Sequence, residues 1–474
     1  MTTPSSSSRR TRWPRGLAAL AGALALAAAV PHVGARLAPG PASTAGVAAA
    51  GTSSTTWSTT TSATPTPTTT TSSTTSSSTT STTTSTTLAP PAGLVEEVAA
   101  RLADPRLAGA VVGLSVWVEG SGEVVTTGAD QPLLPGSNEK LLVAAGALAV
   151  LGPDAVLTTE VKAAGEIDGG WLHGDLVLVG GGDPSLGLAR LDELARQVRA
   201  AGVRHVAGDL VADESRYDDR RTAPGWTDWH MPTFVGPLSA LAVGRNWLRI
   251  DAEYVADPAR ANAGYFRQAL SRAGVTVAGA DRRSPGPGLG ADERPVVASV
   301  ESPPVAALVG EMLTRSDNFY AELLVKETGY RGVGEGTTAA GLAAAHAVLD
   351  ELGVVLTGLS ADGSGLSRDN RRPAGEWQRL LVAAAAQPWG RHLLEGLPVA
   401  GRTGTLASRF RGRPGEAVVR AKTGSVRGSR ALSGYLSTAG GRSVVFSLVV
   451  NGPAASAAVG AMDDLVASIA ASAA

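Results

Sequence analysis

Three short groups of residues, far apart along the chain, carry side chains that could do chemistry together: Ser137-Asn138-Glu139-Lys140, Ser316-Asp317-Asn318 and Lys422-Thr423-Gly424. Ser137 follows Pro135-Gly136 and opens a helical stretch, so it falls at or near a helix N-terminus. Lys140, three residues on, shares its helix face and comes within reach of the serine oxygen. The positive end of the helix dipole disfavours a cation there, and burial or a nearby Lys422 would disfavour it further. A neutral Lys140 can take the Ser137 proton, which makes a serine nucleophile without histidine.

Ser316 and Asn318 flank Asp317 just ahead of a helical run at 320–326. A separation of two on an irregular or extended segment turns both side chains to one side. Ser316 then suits a proton relay towards a leaving group, and the Asn318 amide suits a grip on a substrate backbone. Lys422-Thr423-Gly424 lies in a β-like run, 418–426. On an edge strand, an extended peptide could add alongside it by backbone pairing. Lys422 would supply positive potential, Thr423 a hydroxyl for a terminal carboxylate, and Gly424 room for close approach. Backbone N–H groups of Ser137 and Ser425 would form an oxyanion hole. Arg402-Thr403-Gly404-Thr405 imitates the third group, but its flank at 406–413 is rich in arginine and lacks strand alternation. Taken singly, each group has a plain reading: Ser137 as a helix cap, Lys140 as a surface lysine, Ser316 to Asn318 as a helix-start cluster.

Other chemistries find little support. The six histidines show no metal-ligand spacing, so no metal site and no cofactor is expected. There is no G-x-S-x-G elbow for an α/β-hydrolase triad. No cysteine is present, which excludes disulfides, thiol catalysis and a lipid-bearing N-terminal cysteine. With a net charge of −1 and no long basic block beyond the extreme N-terminus, nucleic acid is not an expected partner. Trp226 and Trp229 could stack on sugar or peptide, with packing as the plainer role.

These groups need elements to position them, and the 474-residue chain divides into several textures. Arg9, Arg10, Arg12 and Arg15 precede an apolar run at 16–30, which fits an export signal or N-terminal anchor over 1–36. A Ser/Thr-rich tract fills 37–90, too poor in apolar residues to offset the entropy of ordering, and reads as a disordered linker. Helical spacing at 94–103 is followed by a strand, turn and strand at 111–127. Strand signals at 418–426, 431–437 and 443–450 and a helical run at 454–471 answer them at the other end. One antiparallel sheet built from both ends of the chain is expected. Helical stretches at 137–151, 305–328, 337–352 and 375–387 would pack against it, an α+β layout. Between about 157 and 300 the texture changes to short β-like runs (175–179, 206–211, 247–251), one helix at 189–202, and a Pro/Gly-rich boundary at 284–290. That middle portion reads as an inserted, mainly β domain over 158–299, splitting a catalytic domain of 91–157 and 300–474.

With their surroundings at 135–142, 180–184, 302–326, 362–370 and 420–435, these residues resemble the D-alanyl-D-alanine carboxypeptidase/endopeptidase family, the low-molecular-mass penicillin-binding proteins with an inserted domain. The resemblance implies the transpeptidase fold shared with serine β-lactamases. It implies cleavage of the terminal D-Ala-D-Ala bond of peptidoglycan stem peptides, and of D-Ala cross-links, through an acyl-enzyme on Ser137. It further implies Lys140 as base, Ser316 as relay, Asn318, Lys422 and Thr423 as substrate-binding groups, and acylation by β-lactams. Extracytoplasmic action follows, with membrane contact only through the N-terminal segment if it is uncleaved. The stretch 362–367 is expected at the rim of the site. Two readings stay open beside this one. A β-lactamase lacks support because none of the six asparagines has a glutamate four residues before it. A non-catalytic wall-binding or sensor protein of the same fold would need neither Ser137 nor Lys140.

Overall fold

The computed structural model describes residues 88–248, 251–284 and 293–473. The expected export segment, almost all of the Ser/Thr-rich linker and the boundary beyond residue 284 lie outside these. The described chain opens with helix α1 (Leu94–Leu102), strands β1 (Val111–Val118) and β2 (Gly122–Thr127), and a 3-10 turn, Gly136–Asn138, that runs into α2 (Glu139–Val150). Next come β3 (Thr158–Asp168), β4 (Trp171–Val179), α3 (Leu188–Ala200), β5 (His205–Val206), β6 (Leu210–Asp213), the short α4 (Ala252–Ala256), α5 (Pro258–Arg272), β7 (Thr276–Val277), β8 (Asp281–Arg283) and β9 (Val296–Glu301). A run of helices follows: α6 (Val305–Arg315), α7 (Asn318–Val333), α8 (Thr338–Glu351), α9 (Ala374–Ala385) and α10 (Gly390–Gly396). Strands β10 (Arg420–Val426), β11 (Ser429–Ser437) and β12 (Ser443–Asn451) then lead to α11 (Val459–Ala471).

The first sheet has the order β10-β11-β12-β1-β2, antiparallel throughout, and so joins the two ends of the chain. Alternation along β12 assigns its two faces. Val444, Phe446, Leu448 and Val450 pack with α1 and α11, whereas Val445 and Val449 face the helical region of α2, α6 and α9. Helix α2 is buried from Glu139 to Leu148, as an almost uniformly apolar helix must be. The single helical stretch expected over 305–328 is instead two helices. Ser316 takes a left-handed conformation (φ 60°, ψ 38°) that ends α6, and Asp317 caps α7 by accepting from Tyr320 N at 3.0 Å.

The second sheet has seven strands and mixes directions: β3 pairs antiparallel with β4 and β9, while β4, β5, β6, β7 and β8 pair in parallel. Helices α3 and α5 cover it through Leu191, Leu194, Val198, Ala263, Phe266 and Leu270. Sequence reasoning missed α5, although Asp257 caps it, Pro258 opens it, and Ala259, Ala263, Phe266 and Leu270 keep helical spacing. The β-like run at 206–211 is interrupted: β5 and β6 are separate short strands, both paired to β4. The run at 247–251 forms no strand among its described residues; Trp247 and Leu248 lie in an exposed turn, and Asp251 immediately precedes α4. A long strap, 214–246, leaves β6 and lies against α7. Arg216 donates twice to the buried Glu327 (2.8 and 2.7 Å), Tyr217 donates to it at 3.0 Å, and Lys326 pairs with Asp218.

Candidate active site

Ser137 is held by backbone rather than by a capping side chain. Gly136 sits in the left-handed region (φ 53°), and a Cβ added there would come 3.0 Å from Ser425 N on β10. Only glycine lets the Ser137 turn approach that strand so closely. Lys140, one residue into α2, directs Nζ at three acceptors: Ser137 Oγ (3.1 Å), Asn318 Oδ1 (2.8 Å) and the carbonyl of Ser364. Its side chain is fully buried. That burial lowers its pKa from 10.5 to about 8, against the opposing pull of the Asp362, Glu322, Asp317 and Glu139 carboxylates. Desolvation is the main cause.

The left-handed turn at Ser316 brings its Oγ to Lys422 Nζ, which donates to it at 2.8 Å and also to the carbonyl of Thr423 at 2.8 Å. Lys422 is fully buried, and desolvation first, then the Lys140 charge, drive its pKa well below the ordinary lysine range. Asn318 begins α7. Its Oδ1 takes the Lys140 bond and its Nδ2 donates to the carbonyl of Phe234 in the strap at 3.1 Å, which leaves one amide hydrogen free of these partners. The two lysines therefore meet the two ends of the Ser316 to Asn318 turn.

Strand β10 is the edge of the five-stranded sheet, and Thr423 Oγ1 donates to Thr405 Oγ1 at 2.8 Å. Arg402 to Thr405, the imitation of the third group, thus packs beside the real one. Gly424 has a different job from the one expected. A Cβ there would lie 2.3 Å from the Pro135 carbonyl oxygen and 2.9 Å from Ala431 Cβ. The space it leaves is filled by the segment that leads into the Ser137 turn.

The stretch 362–367, expected at the rim, is instead mostly buried directly behind Lys140, and within it only Leu366 is half-buried at the cleft. Asp362 accepts from Gly365 N (2.9 Å), Ser367 N (2.8 Å), Ser364 Oγ (2.9 Å), Asn370 Nδ2 (2.8 Å) and Trp226 Nε1 (2.8 Å). The loop so fixed offers the Ser364 carbonyl to Lys140. From the other side Glu322 Oε1 accepts from Gly363 N (3.1 Å) and Ser364 N (2.8 Å). Burial, then the Asp362 charge, raise Glu322 to about 8. Burial likewise raises Glu139 to about 7, but Glu139 turns away towards Ser360 (2.8 Å) and Arg372 (3.8 Å). Sequence reasoning missed Glu322; its position four residues after Asn318, on the same helix face, was the available signal. In front of the site, Trp229, Phe234, Leu366, Arg368, Ser425 and Arg427 line a cleft of about 790 Å³. Trp229 is 65% exposed there, whereas Trp226 points inward to Asp362.

Helices packed on an antiparallel sheet, with a serine, two buried lysines and an edge strand joined through the Ser316 to Asn318 turn, define a serine acyltransferase of the penicillin-binding type. A family model described as D-Ala-D-Ala carboxypeptidase 3 (S13) matches residues 94–254 and 252–472, and the chain belongs to that family. A D-alanyl-D-alanine carboxypeptidase from Actinomadura sp. is 34% identical over 454 aligned residues, covering 78% of this chain and 83% of the relative. Carboxypeptidase DacB of Mycolicibacterium smegmatis is 32% identical over 409, with the same two coverages. The crystal structure of penicillin binding protein 4 (dacB) from Haemophilus influenzae superposes with a TM-score of 0.69 at 22% identity, covering 75% of this chain and 93% of that one. The fold is therefore the mixed α+β fold of penicillin-binding proteins.

Proposed function

We propose that the protein is a serine DD-peptidase acting on D-Ala-D-Ala-terminated peptidoglycan stem peptides, with the acyl-enzyme on Ser137. Ser137 Oγ attacks the carbonyl carbon of the penultimate D-alanine as its proton passes to Lys140 Nζ. The resulting oxyanion is met by the N–H groups of Ser137 and Ser425. Lys422 donates to Ser316 Oγ, so the Ser316 hydroxyl hydrogen is free to point at the leaving nitrogen. The proton on Lys140 reaches that nitrogen by way of Ser316, the C–N bond breaks, and D-alanine leaves as the amine. Water then attacks the ester, Lys140 takes its proton and returns one to Ser137, and the free carboxylate departs. Asn318 and Thr423 hold the peptide beside β10, with Thr423 and Lys422 facing its carboxylate end.

The observation that carries this reading is the pair of hydrogen bonds from Lys140 to Ser137 and from Lys422 to Ser316. Family membership fixes the substrate class. Cleavage of D-Ala cross-links is the companion activity, because a cross-link places the same D-Ala carbonyl before a larger amine. β-Lactams, which present a strained amide to the same serine, acylate it; a β-lactam complex of the Haemophilus influenzae protein supports this. Residues 91–157 and 300–474 form the catalytic domain, with 158–299 inserted. Residues 1–36 direct export, the Ser/Thr-rich segment acts as a spacer, and any membrane contact is made by the N-terminal segment. The test is chromatographic. Stem pentapeptide and a cross-linked dimer are incubated with the enzyme and with Ser137→Ala, and D-alanine and monomer are measured. Release by the wild type alone supports the reading; equal release by both, or by neither, contradicts it.

A further inference from the structure

The strap at 214–246 meets the site at two places: the Phe234 carbonyl accepts from Asn318 Nδ2, and Gly225 and Trp226 meet the loop behind Lys140. Gly225, in the left-handed region (φ 77°), is pressed onto the loop behind Lys140: a Cβ there would lie 2.1 Å from Ser367 Oγ and 2.6 Å from Asp369 Oδ2. The next residue, Trp226, donates its indole N–H to Asp362 Oδ2 at 2.8 Å. Asp362 gathers four further donors from its own loop, and that loop presents the Ser364 carbonyl to Lys140 Nζ. Trp226 is the donor that reaches this carboxylate from outside the 362–370 segment. An indole N–H needs an acceptor when shielded from water, and a carboxylate makes the stronger, charge-assisted bond.

We infer that Trp226 is a positioning residue for the acylation step, holding through Asp362 the loop whose Ser364 carbonyl fixes Lys140. The inference rests on Lys140 acting as the base. The route runs from strap to carboxylate, to loop backbone, to lysine, and each link is a hydrogen bond in the structure. Loss of the first link frees the loop to drift. Lys140 then loses an acceptor that favours its charged form, while Asp362, Glu322, Asp317, Glu139 and Lys422 still surround it.

The experiment measures the first-order acylation rate by a penicillin, read as intact mass against time from pH 6 to 10, for wild type, Trp226→Phe and Tyr217→Phe. Tyr217 also ties the strap to α7, through Glu327, but makes no bond to the Asp362 loop. Trp226→Phe is expected to slow acylation by about 10- to 100-fold, as sub-ångström misplacement of a base does, and to move the acid limb of the profile to lower pH. Tyr217→Phe is expected to lower Tm and leave rate constant and limb where they were. A Trp226→Phe rate equal to wild type, or a slower rate with the limb unmoved, overturns the inference. The same slowing in Tyr217→Phe also overturns it, because strap docking in general would then be the cause. A wild-type protein that forms no adduct contradicts the peptidase reading itself, a result distinct from all of these.

Discussion

The depressed pKa of Lys140 makes a quantitative demand on the pH dependence of acylation. A general base works only when deprotonated, so the rate should follow the neutral fraction of Lys140. With the group titrating at about 8, that fraction is about 0.1 at pH 7, about 0.5 at pH 8 and about 0.9 at pH 9. Acylation should then rise about tenfold between pH 7 and 9 and bend to a plateau. A lysine left at its ordinary 10.5 would give a rise of about 100-fold over the same interval with no bend. Lys140→Arg, a base that cannot deprotonate here, should lose about 10²–10⁴-fold at every pH. The assay is rapid mixing with a chromogenic cephalosporin at constant ionic strength. An unbending rise through pH 9, or a flat profile from pH 6, would refute the claim that burial has prepared Lys140 as the base.

Three other outcomes are expected. Glu322 is raised from 4.5 to about 8, so the folded state binds its proton more tightly than the unfolded one. Its stabilising contribution is complete below the unfolded value and is lost as pH rises through about 8. Glu322→Gln, which keeps an acceptor for Gly363 and Ser364, should match wild type in Tm near pH 4 and increasingly exceed it as pH rises to 9, by the equivalent of about 3–5 kcal/mol. Gly424→Ala forces a methyl group against the Pro135 carbonyl; acylation should fall about 100-fold and urea stability by about 1–3 kcal/mol. Arg216→Ala strips the buried Glu327 of its bidentate partner; urea unfolding should show a loss of about 3 kcal/mol.

What the sequence made legible was the part with a chemical reason to be conspicuous. Ser137 with Lys140, Ser316 with Asn318, and Lys422 with Thr423 need fixed residue types at fixed short spacings, and the structure joins Lys140 to Ser137 and Asn318, and Lys422 to Ser316, by hydrogen bonds. The sheet from both chain ends was equally readable, because Leu114, Val116 and Val118 of β1 and Val444, Phe446, Leu448 and Val450 of β12 fall on alternate positions of one apolar face. Backbone chemistry hides better. Ser364 acts through its carbonyl and Gly363 through its N–H, so neither has a side-chain signature. Gly424 suits close approach by substrate or by Pro135 equally well, and only the fold chooses. The strap contacts, Trp226 to Asp362 and Phe234 to Asn318, join residues more than eighty positions apart with no local pattern to announce them. Helix α5 was missed for another reason: its alanine-rich apolar stripe is weak until Phe266 and Leu270 are seen against β6 and β8.

The central claim is that Ser137 is the nucleophile, and peptide mapping of the β-lactam adduct tests it most directly. Protein treated with a penicillin, quenched and digested, should carry one drug mass on the peptide containing Ser137, persistent over minutes and absent from Ser137→Ala. An adduct on another residue, or one retained in Ser137→Ala, would contradict the account. Rapid loss of the adduct with turnover of penicillin would instead assign the same serine to a β-lactamase.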